Sequence, residues 1–345
     1  MTIKMKKRDM GLIILGFLVA GFAAWWIVSA PRNKVITDTK AGFIFRNVTI
    51  GAPDASALGS FYRDVFGFEV LKDNGEWNFT GPDSKGILLK APGYDADGPT
   101  FRIVSSSMQT RQGPLGVNDL GFAHICFEAD DVRGTVKKIV AAGGSIISTF
   151  PDIEKEVCVY TKDPAGNIVE VHVPTPSSIT PQAMVRFVGS VLRTKMKLNP
   201  SKDALIRFLH VNIVSRDWNQ LKNFYQAVFG CTPFGARRDY NDEWIANVVG
   251  IRDVRVEGRH VAVPGYSLGG PTLEIFTYSK KAKQGPLDLM DRGIVSVGFD
   301  IGDIATTLRA IVNEGGTVVT SRGDGSAIVK DPDGNTIQMK RRTVN

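Results

Sequence analysis

The sequence predicts an α+β fold of four βαβββ modules, in two tandem domains, behind an N-terminal transmembrane helix. Three observations carry that prediction. Phe61-Tyr62-Arg63-Asp64-Val65-Phe66-Gly67 returns as Phe224-Tyr225-Gln226-Ala227-Val228-Phe229-Gly230, and Asp163-Pro164-Ala165-Gly166-Asn167 returns as Asp331-Pro332-Asp333-Gly334-Asn335, so the chain contains an internal duplication. Around these words, short β-branched or aromatic runs alternate with one amphipathic helix per unit. Ahead of them, the uncharged run Met10 to Val28 is about long enough to cross a bilayer core as a helix.

The elements follow in order. Residues 1–40 form an N-terminal tail, anchor and linker. Lys4, Lys6, Lys7 and Arg8 precede the apolar run and Trp25 and Trp26 end it, which predicts a cytoplasmic N-terminus and soluble domains on the extracytoplasmic side. Val28-Ser29-Ala30 resembles a signal-peptidase site, but the run is long for a signal peptide and Pro31 is a poor first residue after cleavage. A retained anchor is the preferred reading.

Domain 1 spans 41–174. Its first module has a strand at Phe43–Ile50, a helix at Ala55–Val65 capped by Asp54 and stopped by Gly67, and strands at Ile87–Lys90 and Phe101–Ser105. Its second has a strand at Gly121–Glu128, a helix at Val132–Ala142 capped by Asp130-Asp131 and stopped by Gly143-Gly144, then strands at Ser145–Thr149, Val157–Thr161 and Ile168–Val173. Residues 175–205 are a linker with a short amphipathic helix at Ala183–Leu192. Domain 2, 206–345, repeats the scheme, with Asp303 as the last helix cap and Gly315-Gly316 as its stop.

Composition excludes little. With 43% apolar and 22% charged residues the chain is an ordinary folded protein. Much of the net charge of +7 sits beside the apolar run and in Arg193–Lys202, so a nucleic-acid partner is not expected. The odd set Cys126, Cys158 and Cys231 gives no disulfide framework; Cys126 and Cys158 either pair or remain buried thiols.

The βαβββ scheme, the Phe-Tyr-Arg-Asp-Val-Phe-Gly helix end, the Ala-Gly-Gly stop and the Asp-Pro-x-Gly-Asn turn resemble the vicinal oxygen chelate superfamily. That group includes glyoxalase I, bleomycin-resistance proteins, methylmalonyl-CoA epimerase and ring-cleaving dioxygenases. The resemblance implies metal ligands on the first and last strands of a module. The first-strand position, seven residues before the capping Asp, is Asn47, His124, His210 and Ser296 in the four modules; the last-strand position is Arg102, Glu170, Glu274 and Gln338. Modules 2 and 3 therefore keep His plus Glu, and modules 1 and 4 do not.

The resemblance allows two pairings. If 1 pairs with 2 and 3 with 4, two half-sites result. If 2 pairs with 3, His124, Glu170, His210 and Glu274 form one site, and Asn47, Arg102, Ser296 and Gln338 form a decayed one. The second pairing explains the pattern by a single event. Two imidazoles and two carboxylates suit one divalent ion, Ni, Co, Zn, Mn or Fe, with positions left for vicinal oxygens of a small-molecule substrate. Glu170 or Glu274 would then move a proton.

The implied activity is that of a metal-dependent lyase or isomerase of glyoxalase type. A sequestering protein of the bleomycin-resistance kind is the alternative. A dioxygenase triad would fall on His210, Ser296 and Gln338, and is broken. His172 shares the sheet face of Glu170 and is a fifth ligand, a proton relay or a surface residue. Arg102 binds an anion, forms a salt bridge or faces solvent, and His260 has no partner legible from sequence.

Overall fold

A computed structural model describes residues 34–72, 75, 77, 86–106, 115–175, 181–198, 204–280 and 284–342. Module 1 contains β1 (Phe43–Ala52), α1 (Ala55–Phe66), β2 (Glu69–Leu71), β3 (Gly86–Lys90) and β4 (Thr100–Ser105). Module 2 contains β5 (Gly121–Ala129), α2 (Val132–Ala141), β6 (Ser145–Ile146), β7 (Cys158–Lys162) and β8 (Ile168–His172), and the linker carries α3 (Pro181–Lys195). Module 3 contains β9 (Ile206–Val214), α4 (Trp218–Phe229), β10 (Thr232–Tyr240), α5 (Glu243–Val249), β11 (Val256–Ala262) and β12 (Thr272–Tyr278). Module 4 contains β13 (Gly293–Ile301), α6 (Ile304–Asn313), β14 (Thr317–Ser321), β15 (Ser326–Lys330) and β16 (Thr336–Arg341).

The modules join across the halves. One eight-stranded sheet runs β14-β15-β16-β13-β1-β4-β3-β2 and the other β10-β11-β12-β9-β5-β8-β7-β6, so module 4 pairs with module 1 and module 3 with module 2. At both seams the first strands run antiparallel, β1 against β13 and β5 against β9. Each first strand also lies parallel to the last strand of its own module.

Within each half the modules are held by their helices, and here the repeated words acquire a physical meaning. The Tyr62 hydroxyl donates to Asp163 Oδ2 at 2.8 Å, and Tyr225 to Asp331 Oδ2 at 3.1 Å. The helix word and the turn word are thus two ends of one buried hydrogen bond. Asp163 Oδ1 also accepts from the Ala165 and Asn167 amides, which fixes the turn before the last strand. Phe66 stacks on Phe127 with centroids 4.1 Å apart, and Phe229 on Phe299 at 4.4 Å. These rings lie in one continuous apolar core between the helices and both sheets.

The first helix of each module starts on the expected side-chain cap: Asp54 accepts from the Ala57 amide, Asp131 from Gly134, Asp217 from Asn219 and Gln220, and Asp303 from Ala305 and Thr306. Gly67 and Gly230 end α1 and α4 at φ 78° and 69°, a left-handed conformation that costs glycine little.

Several elements differ from the sequence reading. The strand expected at Ser145–Thr149 stops at Ile146, because Ser148 Oγ donates to Val248 O and the Thr149 amide to Asn247 O, both on α5. Helix α5 itself was not anticipated. The linker helix is longer than Ala183–Leu192, its later turn held by buried Ser190 and Thr194. Cys126, Cys158 and Cys231 are all buried free thiols. Among the described residues no helix is long and apolar enough to cross a membrane; the anchor expected at Met10–Val28 lies outside them.

Candidate metal centre

Sheet register dictates where the four candidate side chains meet. His124 on β5 lies opposite Asn212 on β9, and Cys126 opposite His210, so the two histidines sit diagonally across the seam on one face. Glu170 on β8 lies opposite Cys126, and Glu274 on β12 opposite Asn212, which places a carboxylate beside each histidine.

The four donors converge. His124 Nε2 lies 2.9 Å from Glu170 Oε2 and 3.4 Å from Glu274 Oε2. His210 Nε2 lies 3.3 Å from each of the same two oxygens, and the two Nε2 atoms are 3.2 Å apart. Donors about 2.1 Å from a shared ion are separated by about 3.0 Å at octahedral and about 3.4 Å at tetrahedral angles. The observed spacings match that range. Glu170 Oε2 is buried and makes no hydrogen bond of acceptable geometry despite its close neighbours, as expected where lone pairs aim at a common point. The residues present therefore fit a divalent ion.

Electrostatics agree. Burial pushes the Glu170 carboxyl up, but His124 and His210 outweigh it and hold the pKa well below the carboxylate range. For Glu274 the same burial is overcome by His210, His260 and His124. Burial alone would lower His210, yet Glu274 and Glu170 raise it to about 9. The two carboxylates thus favour the protonated form of His210 in the metal-free site. A divalent ion in place of that proton would neutralise the pair.

The surroundings contain residues that sequence reasoning did not place. His260 Nε2 approaches the outer oxygen of Glu274, Oε1, at 3.0 Å, while its Nδ1 meets Thr272 Oγ1 at 2.9 Å. Burial holds the His260 imidazole below its ordinary pKa, with Glu274 opposing. Cys158 Sγ donates to the outer oxygen of Glu170, Oε1, at 3.3 Å, and Asn212 Nδ2 donates to Glu274 Oε2 at 3.0 Å. Tyr160 OH lies 3.5 Å from His124 Nε2. Tyr160 faces Glu170 in register, just as His260 faces Glu274, so the two modules use equivalent strand positions. Their signal was register, which needs the loop lengths.

An apolar cluster that includes Val214, Phe276, Tyr278, Ile245 and Val248 covers this end of the sheet, the last two contributed by α5. Glu170 and Glu274 are only 7% and 6% exposed. Inside this enclosure Tyr278 OH and Asn212 Oδ1 are buried and have no hydrogen-bond partner among the described residues. His172 is half-buried beside Cys126 and Glu170, and its Nδ1 is engaged with the carbonyl of Val173.

The other four candidate positions meet in the other sheet and hold different chemistry. Asn47 Nδ2 donates to Thr100 Oγ1 at 3.0 Å, Thr49 Oγ1 to Asn47 Oδ1 at 2.9 Å, and Gln338 Nε2 to Ser296 Oγ at 2.8 Å. Arg102 is 1% exposed, so it does not face solvent as one sequence reading had it. Trp77 lies over this cluster: a Cβ added at Gly298 would stand 2.6 Å from its ring, with Asn47 Cβ alongside. His210 is in one sheet and Ser296 and Gln338 are in the other, so the triad a dioxygenase would need is not assembled.

A family model described as Glyoxalase/Bleomycin resistance protein/Dioxygenase superfamily matches residues 44–171 and 207–339. Among solved structures, glyoxalase I from Zea mays is similar at a TM-score of 0.57 and 15% identity, covering 88% of this chain and 94% of that one. A putative dioxygenase from Bacillus subtilis subsp. subtilis str. 168 is similar at 0.53 and 12% identity, covering 87% and 86%. At these identities the likeness is one of fold. No curated protein matches the sequence.

Proposed function

We infer a function from the premise that this chain belongs to the Glyoxalase/Bleomycin resistance protein/Dioxygenase superfamily. It is a metal-dependent lyase or isomerase of glyoxalase type, with one divalent ion held by His124, Glu170, His210 and Glu274, acting on a small substrate that carries vicinal oxygens. The observation that carries this reading is the convergence of those four buried donors at spacings of 2.9 to 3.4 Å. The basic tail and apolar run of Met1 to Val28 support an anchored protein with its modules outside the cytoplasm.

When bound, the ion would polarise a carbonyl or acidify a hydroxyl on the substrate. The protein's own groups divide the remaining work. Glu274 is held by the Asn212 amide and by His260, whereas Glu170 is tethered at its outer oxygen by a thiol, a weak donor. Glu170 is therefore the carboxylate free to swing and take a proton from the adjacent carbon, and Glu274 the fixed one. Its ionised state is favoured by the imidazoles beside it. Tyr278 OH and Asn212 Oδ1 offer a donor and an acceptor to the substrate, and the apolar cover keeps water from the proton in transit.

The test is metal content together with proton exchange. The full-length protein should hold about one ion per chain, and His124→Ala and His210→Ala should both lose it. Loss in only one of them breaks the shared site. Small α-hydroxycarbonyl compounds should exchange a carbon-bound hydrogen for solvent deuterium with the wild type, and not with Glu170→Gln. Ligand retention without exchange in either protein would instead mark a sequestering protein.

A further inference from the structure

We propose that the outer face of α3, together with the tip formed by Ile36 and Leu268, rests on the lipid bilayer that the N-terminal apolar run enters. The proposal rests on the anchored reading of that run and is independent of the metal chemistry.

Helix α3 has two apolar faces. The inner one packs Phe187 and Val191 against the core, between buried Ser190 and Thr194. The outer one presents Met184, Val188 and Leu192, continued by Met196 just past the helix end, a stripe with a repeat of four residues, all exposed and Met196 by 64%. Single exposed apolar residues need no explanation, but a stripe along a whole helix does.

The position of the stripe identifies its partner. The described chain begins at Lys34, and Val35 is fixed at once: its amide donates to Gly93 O at 3.1 Å, and the next residue, Ile36, exchanges hydrogen bonds with Ser267. Ile36 is 63% exposed and Leu268, next to Ser267, is 70% exposed, so two large apolar side chains flank the point where the N-terminal segment arrives. Arg207 joins this point to α3. Its stem lies against Gly93, its Nη1 donates to Gly269 O at 2.7 Å, and its Nε lies 2.9 Å from Glu128 Oε1. The same oxygen meets Arg186 of α3 at 3.1 Å, and Arg186 Nε donates to Asp130 at 2.6 Å. A chain of polar contacts thus ties the exit point to α3, the helix that carries the stripe.

Reach makes this restrictive. The seven residues from Val28 to Val35 span at most about 25 Å even when fully extended, so a bilayer crossed by Met10–Val28 must lie within about that distance of Val35. Lys195 and Lys197 reach toward Glu156 and Asp152, so attraction depends on the apolar stripe more than on anionic lipid.

The experiment uses the full-length chain in phosphatidylcholine vesicles. Its native thiols are buried, so a fluorophore can be placed selectively on Leu192→Cys or, as a control, on Val312→Cys, an exposed apolar site on α6. Lipids brominated in the upper acyl chain should quench the Leu192 label by at least about twofold more than the Val312 label. Equal quenching at both sites, in a chain that resists alkaline extraction, overturns the docked face while leaving the anchor intact. Release of the chain by alkaline extraction overturns the anchor and the proposal with it. A Leu192 label shielded only by self-association, with no lipid quenching, assigns the stripe to a second copy and also overturns the proposal.

Discussion

Register for register, the two sheets place different chemistry at the same points. His124, His210, Glu170 and Glu274 in one correspond to Asn47, Ser296, Arg102 and Gln338 in the other, since each pair occupies the same rung relative to its seam. The correspondence extends outward. Tyr160 and His260, which face the two glutamates, are replaced by Leu88 and Ile328, and Asn212 is replaced by Gly298. Strand pairing at the two seams is the same, and the Tyr62–Asp163 and Tyr225–Asp331 bonds tie the two sheets to each other over one shared core. What separates the sheets is a set of side chains that changed together, and the missing Cβ at Gly298 is where the Trp77 ring now packs. A ligand set that loses one member no longer binds well, so the rest are free to be replaced, here by hydrogen-bonded Asn47, Ser296 and Gln338 and a buried Arg102 guanidinium.

The largest expected effect tests that comparison directly. His210→Ala should lower metal affinity by at least about 10³-fold, whereas Ser296→Ala, at the matching position, should leave metal content unchanged. Equilibrium dialysis followed by elemental analysis reads both; metal retained by His210→Ala, or lost from Ser296→Ala, would falsify the division of labour between the sheets. Next in size is the filling of the second sheet. Trp77 is buried on Gly298, so Trp77→Ala should cost about 3 kcal/mol of stability, visible as a lower urea midpoint with no change in bound metal. If the loss of stability came with loss of metal, the two sites would not be independent.

How much of this was legible in the sequence depended on what each feature was spaced against. The four ligand candidates were found because their positions count from local marks: His124 and His210 seven residues before a helix cap, Glu170 three after Asn167, and Glu274 at the end of Pro271-Thr272-Leu273-Glu274, the match of Pro99-Thr100-Phe101-Arg102. Those marks are short-range, and the caps form where the side chains dictate. The pairing of modules was favoured only by economy, because strand order is a long-range property. His260 was invisible for a related reason. Its partnership with Glu274 runs through the β11 to β12 register, which depends on a nine-residue excursion whose path no local pattern fixes. Helix α5 and Trp77 lie in the connections after β10 and β2, where the two halves no longer repeat each other.

His260 offers a finer comparison, because Ile328 shows what the other sheet accepts at the same rung. His260→Leu removes the partner of Glu274 Oε1 while keeping apolar volume, and should weaken metal binding by about tenfold. The reciprocal change Ile328→His should not alter metal affinity. Competition against a chelator indicator separates these outcomes, and an unaffected His260→Leu would reduce that residue to a bystander.

The smallest effect is a slope with pH, and its sign follows from His210. In the metal-free protein Glu274 and Glu170 raise this imidazole from its ordinary 6.5 to about 9. Metal binding must displace that proton, so apparent affinity should fall about tenfold for each unit of pH below 9 and level off above it. Stability of the metal-free protein should move the other way. A raised folded pKa gives stabilisation that is complete below the unfolded value of about 6.5 and is lost as pH rises through about 9. Glu170 and Glu274, held below the carboxylate range, contribute stabilisation at higher pH that is lost only in acid. Urea midpoints measured with chelator at pH 6 and pH 9.5 should therefore drop across that interval, while the metal-loaded protein, whose His210 would be a neutral imidazole at both pH values, should not. A midpoint that rises with pH in chelator would show that His210 is neutral without metal, and the site would then lack the charge balance that distinguishes its sheet from the other.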